Sequence, residues 1–277
     1  MKKNTVWLSA LCVAIPFLAS PAAFAGVVYE LETKEEGEAT QQVEIRVQGK
    51  QLKMTGGADS QDDFVIYDGG DNALTIVNAE ERSYFVLGQE QVAQITESLA
   101  AARRQMEQAL EQVPESQRAR MRQMMENSMP GMTGMAGDPP EVTVERTGEK
   151  RTISGYQTTQ YVVKVDGKRT SEVWVTPWSK LEGSDEMRGS FGDMVDFFTS
   201  FFDAMPQVGA GMDDGRSNWM RALKKIDGFP VESRYYEGGA ETPSEITTLK
   251  SIRTKELSGG DFSPPEGYTR RSLEMPD

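Results

Sequence analysis

Three methionines at three-residue steps, Met129, Met132 and Met135, stand in a cluster that also holds Met121, Met124 and Met125. Thioethers at that spacing can gather around a soft ion such as Cu(I). The competing reading is ordinary helix packing followed by a linker, because methionine fills irregular gaps on apolar faces. Aspartates also occur in pairs: Asp62 and Asp63, Asp68 and Asp71, Asp213 and Asp214. Two well-placed carboxylates suffice for acid/base hydrolysis. Each pair sits in a Gly-rich or polar turn, however, where an aspartate ordinarily accepts hydrogen bonds from local backbone N–H groups. The same loops lack the spaced ladder and terminal Glu of an EF-hand. No Gly-rich phosphate loop followed by Lys-Ser/Thr occurs either.

The 277-residue chain has no histidine and a single cysteine, Cys12. Ser-His-Asp and Cys-His catalysis and His-ligated zinc are thereby removed. The expectation is a protein that is not an enzyme, with no catalytic residues, no cofactor and no resident metal.

The densest apolar feature is GDMVDFFTSFFDAM, residues 192–205. On a helix, Phe191, Met194, Val195, Phe198, Phe201, Phe202 and Met205 share one face, while Asp193, Asp196, Thr199, Ser200 and Asp203 fall mostly on the other. The aspartates exclude a bilayer span and disfavour an anionic membrane surface, which prefers a basic polar face. The stripe therefore packs on protein, walls a ligand site, or does both. Together with Trp174 and Trp178 it forms the candidate ligand-binding set, since small-molecule sites are mostly apolar and aromatic.

Residues 1–25 join Lys2 and Lys3 to an apolar run and an Ala23-Phe24-Ala25 exit, the pattern of a cleaved secretory signal. The apolar run is too short to span a bilayer. Maturation at Gly26 would remove the only thiol and two lysines, leaving 43 acidic against 28 basic residues, near -15. The expected location is the periplasm, or outside the cell, with no transmembrane segment in the mature chain. Nucleic acid is excluded as a partner of so acidic a surface.

The elements that must position the stripe follow from periodicity. Residues 26–87 hold short alternating runs, VVYELET, QVEIRV, QLKMT, DFVIY, LTIV and RSYFVL, separated by turn residues, which predicts a meander of hairpins. Val92, Ile95, Leu99, Ala102, Met106, Ala109, Leu110 and Val113 then recur at helical steps up to Pro114. A second helix is expected over 115–129, giving a helical segment over 90–129, and PGMTGMAGDPP predicts a flexible linker over 130–140. Strands resume at EVTVERTG, with Asp166-Gly167 a two-residue hairpin signal. A helix over about 184–205, a short one through NWMRALKK and a last hairpin complete the chain. Ile153-Ser154-Gly155-Tyr156 and Ile226-Asp227-Gly228-Phe229 share an Ile-x-Gly-aromatic entry, a hint of two equivalent hairpins. The fold class is α+β: one domain over 26–277, a curved antiparallel sheet, half-barrel-like, with amphipathic helices on its concave face.

The stretch ERTGEKRTISGYQTTQYVVKVDGKRTSEVWVTPWSKLEG, preceded by a Gln/Met-rich helix with VPESQRARM, resembles a family of secreted bacterial proteins catalogued as a domain of unknown function. IDGFPVE and FSPPEGY resemble, at the level of fold, the last hairpins of periplasmic lipoprotein carriers of the Lol type and their half-barrel relatives. The resemblance implies a half-open barrel whose concave face accepts acyl chains, and it brings no catalytic residues. The resulting expectation is a non-catalytic envelope protein that binds a hydrophobic or lipid-like ligand. The alternative is a periplasmic module for protein interaction or sensing, with an envelope protein as partner. Methionine-based Cu(I) binding is a minor third.

Overall fold

The computed structural model describes residues 25–56, 63–111, 140–204 and 216–272. Among them, twelve strands form one large, open, curved sheet flanked by a few helices. The amino-terminal meander comprises β1 (Ala25–Glu35), β2 (Gln41–Gln48), β3 (Gln51–Thr55), β4 (Phe64–Asp68), β5 (Ala73–Asn78) and β6 (Ser83–Leu87). The second half contributes β7 (Val142–Ile153), β8 (Tyr156–Val165), β9 (Lys168–Thr176), β10 (Phe229–Tyr235) and β11 (Glu245–Glu256). The two halves join where β1 pairs with β11, and every pairing is antiparallel except that of the two-residue β12 (Thr269–Arg270) beside β6.

Turn chemistry fixes the registers. Asp166 and Gly167 both take positive φ, 49° and 76°, so that Val165 pairs directly with Lys168. Ser154 and Gly155 do the same between Ile153 and Tyr156. Asp227 and Gly228 do not. They connect a helix to β10, and Gly228 is required there because a Cβ would stand 2.5 Å from Val175 Cγ1. The shared Ile-x-Gly-aromatic pattern therefore marks two different geometries, a hairpin turn and a close backbone approach.

The alternation of β1 and β2 separates two faces. Tyr29, Leu31, Val43, Ile45 and Val47 join the main apolar cluster. Their alternates carry charge: Arg253 reaches Glu30 at 2.8 Å and Glu44 at 2.9 Å, and Arg46 reaches Glu44 at 2.6 Å and Asp261 at 2.8 Å. One face thus carries these ion pairs beside a small buried patch of Ile66, Leu257 and Phe262, and the other needs a larger cover.

The cover is helical. Helix α1 (Gln89–Glu111) packs its first turns against β6, with Val92 and Ile95 in the cluster. The side chains at 99, 102, 106, 109 and 110, part of the predicted stripe, lie outside the described residues, as do Val113, the helix expected over 115–129 and most of the expected linker. Helix α2 (Ser184–Ala204) packs on β2 and β3, and α3 (Arg216–Leu223) lies against α2 and β7. None of the described helices is long and apolar enough to cross a membrane.

Two aromatic lines tie α2 down. Tyr29 stacks on Phe229 at 5.4 Å, Phe229 meets Trp178 at 5.8 Å, and Trp178 meets Phe191 at 6.2 Å. From β4, Tyr67 meets Phe197 at 5.8 Å, and the contacts continue through Phe198 to Phe202. Ser190, buried on the same helix, donates its hydroxyl to the Gly49 carbonyl at 2.9 Å and so fixes α2 over the β2–β3 turn. At the helix start Gly183 has φ +65°, and a Cβ there would run into the Val27 side chain of β1.

Gly183→Ala is therefore expected to cost about 2 kcal/mol through strained backbone and overpacking. A chemical denaturation midpoint within error of the parent would contradict that contact. A second expectation concerns alkaline pH. Tyr67 is buried, and its phenol is pushed up from 10.0 to about 12, first by burial and then by the Asp193, Asp196 and Asp68 carboxylates. Burial raises Tyr29 in the same direction. The folded state holds these protons more tightly than the unfolded chain, so the stabilisation is complete below pH 10 and is lost as pH rises through about 12. Denaturation midpoints should fall in that window, and Tyr67→Phe should make the fall shallower. An unchanged alkaline slope in that variant would count against the assignment.

Candidate functional site

Where α1 and α2 diverge above the β4–β5 turn they leave a cleft of about 800 Å3. One flank is α1, which presents Val92, Ala93, Thr96, Glu97 and Ala100 at three- and four-residue steps. Val92 also packs against the sheet with Ile95, and the small side chains of Ala93, Thr96 and Ala100 beside it keep the space open. The other flank is α2, with Asp193, Asp196, Phe197, Ser200 and Phe201. The floor is the β4–β5 hairpin: Tyr67, Gly69 and Asn72. Tyr67 donates its hydroxyl to Asn72 Oδ1 at 2.9 Å, so the polar end of the floor is satisfied internally. Gly69 donates its N–H to the Lys50 carbonyl at 2.9 Å and lies close beneath Asp193.

The lining is mostly apolar, and its polar side chains include the carboxylates Glu97, Asp193 and Asp196 beside the neutral Asn72, Gln89, Thr96 and Ser200. Asp193 and Asp196 stand three residues apart on α2, and Glu97 faces them from α1. No lysine or arginine belongs to the described lining. Asp196 pairs with Lys224 of the segment after α3 at 2.8 Å, an exposed pair.

A second cavity of about 420 Å3 lies on the far side of α2, between it and α3. Trp178, Phe191 and Val195 reach it, but its mouth carries ion pairs, Arg188 with Asp227 at 3.4 Å and Lys224 with Asp196. It is smaller and more polar than the first.

The structure divides the candidate set drawn from the sequence. Phe201 lines the larger cleft, whereas Trp178, Phe191 and Val195 line the smaller one. Met194 is buried in the main cluster, and Phe198 and Phe202 stack on each other at 6.1 Å. Met205 lies outside the described residues. Trp174 is fully buried on β9, with the Arg151 guanidinium 4.3 Å from its ring. It alternates with Val173 and Val175, which pack towards Ala222 of α3, so its side chain occupies the opposite face of the strand.

Several lining residues have no counterpart in that set. Phe197 is buried, though helical steps of three and four from Met194 to Phe201 pass through it. Thr199, placed on the polar face by the sequence, lines neither cavity; it is buried and donates to the Val195 carbonyl at 2.7 Å. The small-residue stripe on α1 was the signal that could have revealed the other flank.

The alternative chemistries fall mostly outside the described residues. The methionines from 121 to 135 all lie outside the described residues, as do Asp62, Asp213 and Asp214. Asp68 Oδ1 accepts from the Gly70 and Asp71 N–H groups at 2.7 and 3.2 Å, and Asp63 accepts from Ala79 N–H at 2.7 Å. These aspartates cap turns.

No curated protein matches the chain. Its architecture is similar to that of an uncharacterised conserved protein from Thermus thermophilus, with TM-score 0.41, 7% identity, and coverage of 90% of this chain and 91% of that one. It is also similar to the Pseudomonas aeruginosa MucA/MucB complex structure, at TM-score 0.35 and 8% identity over 86% of this chain and 55% of that one. A LolA superfamily protein from Nitrosomonas europaea is similar at TM-score 0.25 and 9% identity, over 86% and 89% of the two chains. The family model described as "Domain of unknown function (DUF4412)" matches residues 113–268, more than half of the chain and all of α2, α3 and β7 to β11, and the protein belongs to that family.

Proposed function

We propose that this protein is a non-catalytic envelope protein that holds a hydrophobic or lipid-like ligand between α1 and α2. The observation that carries the reading is the cleft itself. At about 800 Å3 it falls within the range of small-molecule sites, and its lining joins aromatic and small aliphatic side chains to a few polar ones. In this reading the sheet acts as a half-barrel with the helices on its concave face, and α2 serves both as core and as wall. The secretory pattern of the first 25 residues supports a periplasmic location.

Native mass spectrometry of gently purified protein, followed by organic extraction, tests this directly. An apolar adduct near one per chain is expected. Ala93→Trp, on the exposed cleft flank of α1, should fill the space without disturbing the core and lose the adduct. Clean apo protein that stays empty after incubation with its own envelope lipids would overturn the proposal and favour a role in protein interaction. An adduct equally abundant in Ala93→Trp would move the ligand out of this cleft.

A further inference from the structure

The ligand's polar end can be inferred from the charges around the cleft, given the reading above that the cleft binds an apolar molecule. We propose that the ligand is a cationic amphiphile: an apolar chain held beside Phe197, Phe201 and Val92, with a protonated amine at the mouth facing Asp193, Asp196 and Glu97.

The argument is one of charge complementarity. Asp193 and Asp196 project from successive turns of α2, and Glu97 approaches from α1, so carboxylates stand on both flanks of one apolar space. The described lining offers no basic side chain. Among the described residues Asp193 and Glu97 have no ion-pair partner, and the pairing of Asp196 with Lys224 is solvent-exposed, Asp196 being 65% and Lys224 44% exposed. A fatty carboxylate or a phosphate headgroup would lie among like charges with no guanidinium or ammonium to receive it, an arrangement that rejects such a partner. An ammonium group would meet carboxylate in place of like charge while its chain leaves water.

The floor feels the same carboxylates. The Tyr67 phenol is raised by burial first, and the next contributions come from the Asp193 and Asp196 carboxylates. The Tyr67 hydroxyl is already committed to Asn72, so it does not compete for the ligand's head.

Calorimetric titration of the full chain at neutral pH with dodecylammonium, dodecanol and dodecanoate, each below its micelle concentration, separates head-group preference from apolar binding. Only binding abolished by Ala93→Trp counts, because an acidic protein attracts amines nonspecifically. Dodecylammonium is expected to bind about tenfold more tightly than dodecanoate, the scale set by a few exposed ion pairs, with dodecanol between them. In the double variant Asp193→Asn, Asp196→Asn the gap should shrink by about threefold or more.

Dodecanoate binding as tightly as dodecylammonium, or a gap unchanged in the double variant, would overturn the cationic head while leaving the apolar cleft in place. If none of the three binds in a manner sensitive to Ala93→Trp, the head-group proposal and the ligand-cleft reading fail together. A lysine-bearing amphipathic peptide that binds where dodecylammonium does not would also overturn it, in favour of a protein partner.

Discussion

Helix α2 carries more apolar surface than one flat contact with a sheet can cover, and its burial sets the position of everything around it. Met187, Met194, Val195, Phe197 and Phe202 are all buried, and they point in too broad an arc to meet β2 and β3 alone. The chain closes that arc from several directions. Tyr29 and Phe229 hold the amino-terminal half through Trp178, Tyr67 holds the middle through Phe197, and α3 closes one flank with Ala222 and Leu223. Buried aromatic contacts of this kind contribute through both the area removed from water and ring geometry.

The cleft follows from the same constraint. On the flank opposite α3 the cover is α1, and α1 meets the sheet through Val92 and Ile95 while turning Ala93, Thr96 and Ala100 towards α2. Small side chains there cannot fill the gap, so Phe197 and Phe201 are left lining a space of about 800 Å3. The aspartates of α2 stay hydrated at its edge, because a carboxylate is costly to bury without a partner. The region that matches the family model contains α2 but stops short of α1, so the two walls of the cleft differ in how far the family pattern accounts for them.

Local signals in the sequence account well for the strands and turns. Period-two runs fall on β1 to β6, and Asp166-Gly167 makes the hairpin its chemistry requires, because these features depend on neighbours within a few residues. The helical period also locates α2 correctly. Its faces are harder to read. A helix wrapped on three sides has no single apolar stripe, so a two-faced scheme left Phe197 unplaced and put Thr199 among the polar residues, although both are buried. Trp174 shares composition with a binding wall but lies under Arg151 on the other face of β9 from Val173 and Val175. The cleft was not legible for a further reason. Its flanks come from helices about a hundred residues apart, and the space between them depends on how each docks on the sheet.

Hydrogen exchange measured by mass spectrometry, with and without lipids extracted from the protein's own envelope, tests most directly whether the space between α1 and α2 is a binding site. Bound ligand should slow exchange in residues 89–100 and 193–201 together and leave the β7–β8 hairpin unchanged. Protection that appears on the sheet edges alone, or no protection at saturating lipid, would contradict the account and leave α2 as core.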